Sequence, residues 1–452
     1  MRRLVLLSLA AAVLAGGGFA LAQGGFEAGR IGPASRIQPS GRKLDPAGKV
    51  SKPLGNLPAG GALTADGRFV WTLSAGRGRN DVRIVQVATT PLRCKRGRRG
   101  RRCRKKRARR ARRVGRTAQT IAMPGVTGGI AMAPDGSAAY VSGSPESEHA
   151  DQRVADDVPG QEGDVVHVFK LDRRTGRAER DGAIPIPAPE GASTPQAFPP
   201  GTGPAQAWPR DLAISPDGST LLAALNLGDG AAVIDVGRRT VRTLATGHYP
   251  YGAAILKDGR TGLVSNESDG TVSVIDLAAA RETREIQVGP HLSHPEGIAV
   301  DPAAPRAYVA VAHQDLVAVI DTRSMVVERT LSVERPEGIG TEPTAVSVTP
   351  DGRRLLVSDS GEDAVAVFAL PGGGERRDAR KRPKRRPAKR RPACRRSKRG
   401  ATRKRRCRRA RGRSAALSDR VRVSRAPEDW SLLGRVPVSA YPVGAWMTPT
   451  GE

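Results

Sequence analysis

The sequence has few cysteines and few aromatic residues, and both scarcities restrict what the protein can be. Only four cysteines occur among 452 residues, in two pairs, Cys94 with Cys103 and Cys394 with Cys407. Structural zinc sites need ligand pairs about two to four residues apart and about four ligands in total. Neither cysteine pair has that spacing or a histidine nearby, so zinc is disfavoured. Aromatic residues make up 3% of the chain, so its core must consist mainly of Val, Leu, Ile and Ala.

Motifs that mark catalytic sites are also missing. The sequence contains no Gly-x-Ser-x-Gly, no Walker-type phosphate loop, no His-Glu-x-x-His and no EF-hand calcium loop. Ser360, in the stretch SDSGED, has no evident base and is interpreted as a turn serine. The sequence therefore predicts no catalytic residue and no cofactor, and it favours a binding module over an enzyme.

The N-terminus has the pattern of a secretory signal peptide. Two arginines precede an apolar run from Leu4 to Leu14, and Ala20-Leu21-Ala22 fits a small-residue cleavage site. The run is shorter than the roughly 20 apolar residues that a membrane-spanning helix needs. We predict a signal peptide over residues 1–22 with cleavage near Ala22, a flexible segment over 23–40, and a secreted or envelope-associated protein.

Positive charge is concentrated in two blocks around the cysteines. Residues 93–116 hold 16 Lys and Arg and no acid, and residues 376–413 hold 23 with one acid, in a chain of net charge +31. Disulfides form and persist in exported proteins, so Cys94–Cys103 and Cys394–Cys407 are predicted to be local bridges, with cross-pairing left open. Blocks of like charge are typical of disordered interaction segments.

These basic blocks could bind a polyanion, such as an anionic membrane surface or a phosphate-rich cell-wall polymer, because arginine donates paired hydrogen bonds to phosphate. Neither block has an aromatic residue for base stacking, which disfavours sequence-specific nucleic-acid binding. The alternative is that both blocks are tolerated loop insertions without a partner. The candidate polyanion-binding residues are Arg98, Arg99, Arg101, Arg102, Arg395, Arg396, Arg405 and Arg406.

An internal repeat predicts the fold. Similar units, each an apolar strand closed by an Asp-Gly-type turn, begin at Leu57, Val126, Trp208, Tyr249, His294, Glu342 and Tyr441. A period of about 40–45 residues with four strands per unit is typical of β-propeller blades. The predicted class is all-β, a seven-bladed propeller over residues 41–452 with six complete four-stranded blades and a truncated seventh. Both basic blocks are predicted as disordered hairpin inserts between third and fourth strands.

These repeats resemble YVTN-type seven-bladed propellers. More narrowly, stretches such as GHYPYGAAILKDGRTGLVSNESDGTVSVIDL and VGPHLSHPEGIAVDP resemble the N-terminal propeller of exported bacterial proteins. In that family the propeller precedes a phosphoesterase domain of the alkaline-phosphatase superfamily. The resemblance covers roughly residues 42–451 and departs at the two basic blocks and at the early end of the chain. The seventh unit stops just after its first strand, which would leave open sheet edges, so we predict that the chain is a fragment, or a gene product cut short, of a longer protein. The resemblance assigns no phosphoesterase activity to the residues present.

One mouth of the propeller channel is the predicted binding site, because side chains beside the repeated proline should surround it. Loops on the same face gather four of the six histidines and a long acidic loop over residues 143–164. Concave mouths with a few convergent polar and aromatic groups commonly bind ligands. The candidate ligand-binding residues are Trp208, Arg210, Tyr249, Tyr251, Asn266, His291, His294, Glu296 and His313. The histidine spacing is not diagnostic of a metal, so no metal site is predicted.

The leading interpretation is an exported propeller that acts as a binding and scaffolding module and presents its mouth to a ligand or to a following domain. Two alternatives stay open. The chain could be the N-terminal part of a secreted metal-dependent phosphoesterase, or an envelope-anchored protein held by its basic blocks. Propellers perform many unrelated functions, so the fold alone does not choose among them.

Overall fold

The computed structural model describes residues 57–75, 80–88, 103–105, 108–109, 113–146, 154–190, 206–335, 340–371, 429–438 and 442–448. Within them, 24 β-strands form six antiparallel sheets of four strands, and each sheet follows chain order. This confirms the predicted all-β propeller with six complete blades. The described residues contain no helix long and apolar enough to cross a membrane.

The first three blades are built from residues 57–245. Blade 1 comprises β1 Leu57–Leu63, β2 Phe69–Ala75, β3 Asp81–Gln86 and β4 Arg116–Ala122. Blade 2 comprises β5 Ile130–Met132, β6 Ala138–Gly143, β7 Val165–Asp172 and β8 Arg177–Pro185. Blade 3 comprises β9 Pro209–Ile214, β10 Thr220–Leu225, β11 Gly230–Asp235 and β12 Thr240–Ala245.

The last three blades follow in the same order. Blade 4 comprises β13 Pro250–Ile255, β14 Thr261–Asn266, β15 Thr271–Asp276 and β16 Arg281–Gln287. Blade 5 comprises β17 Pro295–Val300, β18 Arg306–Val311, β19 Leu316–Asp321 and β20 Val326–Ser332. Blade 6 comprises β21 Pro343–Val348, β22 Arg354–Asp359, β23 Ala364–Ala369 and β24 Leu432–Pro437.

Asp-Gly turns close the first hairpin in every blade except blade 5, and blade 3 shows their geometry. Ser215 Oγ donates to Asp217 Oδ1 at 2.6 Å, and the Gly218 N–H donates to the Ser215 carbonyl at 2.9 Å. Gly218 has a φ of 77°, a left-handed conformation that glycine adopts without steric cost. The turn residues read from the sequence therefore fix where the first strand ends and the second begins.

The hydrophobic core lies between successive blades. Five clusters of buried apolar side chains join blade 1 to 2, 2 to 3, 3 to 4, 4 to 5 and 5 to 6. Val, Leu, Ile and Ala supply most of them, as the scarcity of aromatic residues predicted. The first strands contact each other in the order β1, β5, β9, β13, β17 and β21, which places them around the channel.

The predicted seventh blade is not among the described sheets. Residues 442–448, which include most of its predicted first strand, are irregular. A strand needs a hydrogen-bonded neighbour, and no described segment forms a ladder with these residues. They still contact blade 6, because the Ser360 hydroxyl donates to the Pro442 carbonyl at 2.8 Å and the Ser347 hydroxyl donates to the Ala445 carbonyl.

The two basic blocks fall between third and fourth strands, β3 and β4 in blade 1 and β23 and β24 in blade 6. Residues 376–413 lie outside the described residues, as do the predicted signal peptide 1–22 and the segment 23–40. Of the block 93–116, residues 103–105 and 108–109 are described as helical, and residues 113–116 form a turn and the first residue of β4. Cys103 takes part in a disulfide. The pairings Cys94–Cys103 and Cys394–Cys407 stay predictions, because the other three cysteines are outside the described residues.

A histidine buried in blade 2 should make the fold sensitive to acid. His167 on β7 is 1% exposed, and burial, aided by the Arg180 charge, lowers its pKa to about 4. In the unfolded chain the pKa of His167 is about 6.5. Below that pH His167 therefore binds a proton in the unfolded state, whereas the buried side chain of the native state stays neutral. Acidification from pH 6.5 to 4 should therefore cost up to ~3 kcal/mol of stability through this residue.

Urea denaturation of the native protein and of His167→Leu across this pH range measures the effect. The difference in unfolding free energy between the two proteins should change with pH, because only the native protein has His167. The contributions of carboxylates that both proteins share cancel in this difference. His291→Ala, which removes an exposed histidine, should leave the pH dependence of the native protein intact. Parallel pH profiles for the native protein and His167→Leu would contradict the prediction.

Candidate functional site

The third residue of each repeat unit lines a central cavity. In β9, β13, β17 and β21 the pairing with the second strand of the blade is irregular just after the proline. The third residue of the unit therefore has no paired residue on that strand. Its side chain can therefore turn away from the sheet, towards a cavity of about 540 Å³. The third residues that line the cavity are Ala59, Gly128, Arg210, Tyr251, Glu296, Thr344 and Val443.

The cavity wall is polar on one side only. Arg210, Tyr251 and Glu296 come from the consecutive blades 3, 4 and 5, whereas the other four third residues are small or apolar, apart from the hydroxyl of Thr344. Arg210 Nη2 donates to the Tyr251 hydroxyl at 2.5 Å, and the guanidinium carbon lies 4.2 Å from the centre of the Tyr251 ring. This stacking fixes the position of the charge inside the cavity.

Arg210 has no carboxylate partner. Its Nη1 makes only long contacts, of 3.4 Å, to the Ala59 and Thr127 carbonyls. Within the described part of the chain, no acidic side chain forms an ion pair with its guanidinium at 4.0 Å or less. A guanidinium is a fork of donors that matches a carboxylate or a phosphate. Its capacity to bind an anion is therefore largely unused by the protein itself.

Two acids line the cavity, Asp211 and Glu296, and Glu296 is the one at a third position of the repeat. Glu296 is 9% exposed, and its Oε2 has no hydrogen-bond partner. Burial first, and the Glu267 carboxylate second, raise the pKa of Glu296 to about 8, although Arg210 acts in the opposite direction. The carboxyl is therefore mostly protonated at neutral pH. Burial likewise raises the pKa of the Tyr251 phenol well above its ordinary value, so this hydroxyl keeps its proton.

The backbone of Glu296 is held by a serine of the neighbouring blade. Ser265 Oγ accepts the Gly252 N–H at 2.9 Å and donates to the Glu296 carbonyl at 2.6 Å. Ser265 is fully buried on β14, so this bridge fixes the separation of the first strands of blades 4 and 5. The side chain of Glu296 therefore projects from an anchored backbone.

Two histidines and a second acid lie at the mouth beside Glu296. The rings of His294 and His313 stack with centres 3.9 Å apart, and His294 Nδ1 is 3.9 Å from Glu267 Oε1. His313 Nδ1 donates to the Leu292 carbonyl at 3.1 Å, since a carbonyl only accepts. Burial, and then the neighbouring His313, lower the pKa of His294, whereas burial raises the pKa of Glu267.

In blades 3 to 6, the residue before the repeated proline adopts a strained backbone at the mouth. Trp208, Tyr249, His294 and Glu342 have φ between 45° and 53°, a left-handed region that side chains with a Cβ rarely occupy. Aspartates of the preceding blades hold this conformation in blades 3, 4 and 6. Their carboxylates accept the backbone N–H of Trp208, Tyr249 and Glu342, and the acceptors are Asp164, Asp229 and Asp315. The end of the acidic loop, Asp164, thus has a structural partner.

The structure brings some of the sequence-predicted ligand-binding residues together and separates others. Trp208, Arg210, Tyr251 and Glu296 line the cavity, and His294 with His313 lies beside it. Tyr249 and His291 do not line the cavity, and His291 is exposed.

Asn266 does not face the mouth either. It is fully buried, and its amide donates to the Thr271 and Ser273 hydroxyls of its own blade at 3.0 and 2.9 Å. Its role is to join β14 to β15. The next residue, Glu267, is the one beside His294 and Glu296, and the selection from sequence omitted it. The signal for Glu267 was the strand period, since the residue after a buried strand end points to the other side.

The remaining sequence-predicted residues cannot be placed. The eight candidate polyanion-binding arginines lie outside the described residues. Binding of a polyanion or cell-envelope surface, and a link to a following phosphoesterase domain, therefore stay predictions. The same holds for export.

Comparisons with known proteins extend to the fold only. No protein-family model matches the chain, and no curated protein matches it. Among solved structures, it is similar to a 6-phosphogluconolactonase-like protein of Bacteroides fragilis, at 15% identity over 69% of this chain and 80% of that one, with a TM-score of 0.48. It is also similar to a 6-phosphogluconolactonase-like protein of Bacteroides uniformis, at 14% identity over 74% of this chain and 78% of that one, with a TM-score of 0.47. A third similar structure is the hydrazine synthase of Kuenenia stuttgartiensis, at 16% identity over 73% of this chain and 91% of that one, with a TM-score of 0.38. At these identities and TM-scores, the similarities assign no function to this chain.

Proposed function

We propose that this propeller is a binding module whose central cavity holds a small organic anion, a carboxylate or a phosphate ester, against Arg210. The observation that carries the proposal is a guanidinium that faces the cavity, is positioned by stacking on Tyr251, and has no acidic partner within 4.0 Å among the described residues. A charge in a cavity is commonly balanced by a partner, and here a ligand can supply it.

The neighbouring groups suit the same ligand. With a pKa of about 8, Glu296 is mostly neutral at pH 7 and can donate a hydrogen bond from its carboxyl proton. The Tyr251 hydroxyl also keeps its proton. A ligand anion would thus meet donors of three kinds on one side, and small or apolar side chains such as Ala59 and Val443 on the other. The volume of about 540 Å³ falls in the usual range for small-molecule sites, roughly 300–1,000 Å³.

Calorimetric titration with a panel of small carboxylates and sugar phosphates tests the proposal. Each anion is paired with its neutral amide or dephosphorylated counterpart, and the chelator-treated full chain is used throughout. At least one anion should bind, and its neutral counterpart should bind more weakly. Arg210→Met should weaken binding by roughly 10–100-fold, because a hydrogen bond to a charged group contributes about 1.5–3 kcal/mol.

Two further variants locate the ligand. Ala59→Leu should reduce affinity by filling the apolar side of the cavity while the Arg210 side chain is retained. Arg260→Met removes an exposed arginine from the blade 4 hairpin and should leave binding unchanged. The proposal is wrong if no panel member binds below ~1 mM, a free energy of about −4 kcal/mol. Equal affinities of the native protein and Arg210→Met would also overturn it.

A further inference from the structure

We propose that Glu267, His294 and Glu296 form a binding site for a divalent transition-metal ion at the mouth of the channel. One carboxylate oxygen of each acid and one ring nitrogen of His294 lie within 4.8 Å of one another. This inference goes beyond the proposed function, because the three ligands do not include Arg210 and the metal ion needs no organic anion in the cavity.

The side chains need only a small movement to coordinate an ion. A metal ion with ligands at about 2.1 Å separates neighbouring ligand atoms by roughly 3.0–3.5 Å. His294 Nδ1 and Glu267 Oε1 already approach to 3.9 Å without an ion. Closing the cluster by about an ångström requires rotation of two glutamate side chains and no change in the blades. The Ser265 bridge holds the backbone of Glu296 while they rotate.

A buried carboxylate oxygen without a partner is the independent sign of a ligand. Oε2 of Glu296 makes no hydrogen bond, although the residue is 9% exposed. Leaving a buried polar atom unpaired costs about 1–3 kcal/mol, so such atoms normally have partners. Glu267 supplies a second carboxylate oxygen within 4.8 Å of one from Glu296. A divalent cation between the two carboxylates would give the unpaired oxygen a partner.

The donor set indicates the class of metal. Calcium and magnesium prefer oxygen ligands alone, whereas an imidazole nitrogen together with carboxylates suits Zn²⁺, Mn²⁺, Fe²⁺ or Co²⁺. Three protein ligands leave at least one coordination position for water or another molecule, as in open rather than structural sites. Glu296 also lines the cavity, so an ion bound to it would have access to the cavity contents.

The stacked histidine positions His294 for this role. His313 packs on the His294 ring at 3.9 Å and donates through Nδ1 to the Leu292 carbonyl, so its own ring is fixed. Only a neutral imidazole binds a metal, and Nδ1 of His294 lies 3.9 Å from Glu267 Oε1. Arg210 also lines the cavity, and its guanidinium stacks on the Tyr251 ring, 4.2 Å from the ring centre.

Cobalt titration of the chelator-treated full chain tests the site, because bound Co²⁺ reports its ligands through visible absorption. One Co²⁺ per chain should bind, and its visible ligand-field spectrum should indicate a nitrogen ligand. Zn²⁺ should displace the bound Co²⁺. Glu296→Gln should weaken Co²⁺ binding by at least ~100-fold. Losing a residue that only orients a metal ligand already costs about 10–100-fold, and Glu296 would be a ligand itself. His294→Asn should do the same and remove the nitrogen signature, while its side chain tolerates the left-handed backbone.

Controls on the same face separate this site from adventitious binding. His291→Ala and Glu342→Gln alter a histidine and an acid outside the cluster, and both should keep the affinity and the spectrum. Absence of stoichiometric Co²⁺ binding, or equal binding by Glu296→Gln, would overturn the inference. The anion titrations are run without metal, so a failure there leaves this result intact, and a failure here leaves the anion site intact.

Discussion

Replacing Trp71 with alanine should lower the free energy of unfolding by about 3–5 kcal/mol, the range for large aromatic side chains removed from a core. Trp71 on β2 is 0% exposed, and its ring meets the edge of Phe169 on β7 with centres 5.7 Å apart. The two rings join blade 1 to blade 2 in a chain with few aromatic residues. Urea denaturation followed by circular dichroism measures the loss directly.

Trp71→Phe identifies the cause of that loss. Phenylalanine keeps an aromatic ring against Phe169, and it removes an indole N–H that is buried without a hydrogen-bond partner. Burying such a group without a partner costs about 1–3 kcal/mol, so the phenylalanine variant should lose less than half as much stability as the alanine variant. Equal losses in the two variants, or a loss below ~1 kcal/mol for alanine, would show that the interface between blades 1 and 2 does not depend on this packing.

The strands were predictable because local chemistry and the repeat agree. In YPYGAAILKDG, proline starts the strand, small and apolar residues fill it and Asp-Gly turns the chain, and the structure has β13 at Pro250–Ile255. The third residue of the unit was also identifiable, since it follows a proline in five of the six blades. Arg210, Tyr251 and Glu296 were selected on that basis, and all three line the cavity.

The chemical state of the site could not be predicted from the sequence. Asn266 ends β14 and Glu267 is the next residue, yet Asn266 is buried against two hydroxyls and Glu267 lies beside His294. The difference depends on Thr271 and Ser273, which the next strand brings opposite Asn266. The raised pKa of Glu296 likewise depends on burial and on Glu267, which is 29 residues earlier in the chain.

The number of blades shows the limit of a repeat argument. The unit that begins at Tyr441 matches the others in sequence, and residues 443–446 line the cavity beside β21 and β1. Its described residues, 442–448, are nevertheless irregular in the structure, because a strand is stabilised by its neighbours and not by its own sequence alone. A repeat pattern therefore predicts where a unit lies in the ring more securely than it predicts a formed sheet.

Replacing Gly252 with valine should destabilise the protein by about 3 kcal/mol or more and abolish Co²⁺ binding as well. A Cβ at this position would lie 2.3 Å from the Glu296 carbonyl oxygen, which is backbone and cannot rotate away. Overpacking of this kind usually costs about 1–3 kcal/mol, and more where the backbone must shift. Here β13 and β17 must separate, which breaks the Ser265 bridge and moves Glu296 away from Glu267. Urea denaturation and cobalt titration measure the two effects in one sample.

Gly163→Val is the matched control, because a Cβ at Gly163 would meet nothing within 4 Å. This variant should change stability by less than ~0.5 kcal/mol, as surface substitutions usually do, and keep the metal affinity. Gly252→Ala should fall between the two valine variants, since it adds the clashing Cβ without the two methyl groups. If Gly252→Val unfolds the protein at 25 °C, the alanine variant still reports the metal site. Full Co²⁺ binding by a folded Gly252→Ala protein with an unchanged spectrum would show that the close approach of blades 4 and 5 does not position Glu296.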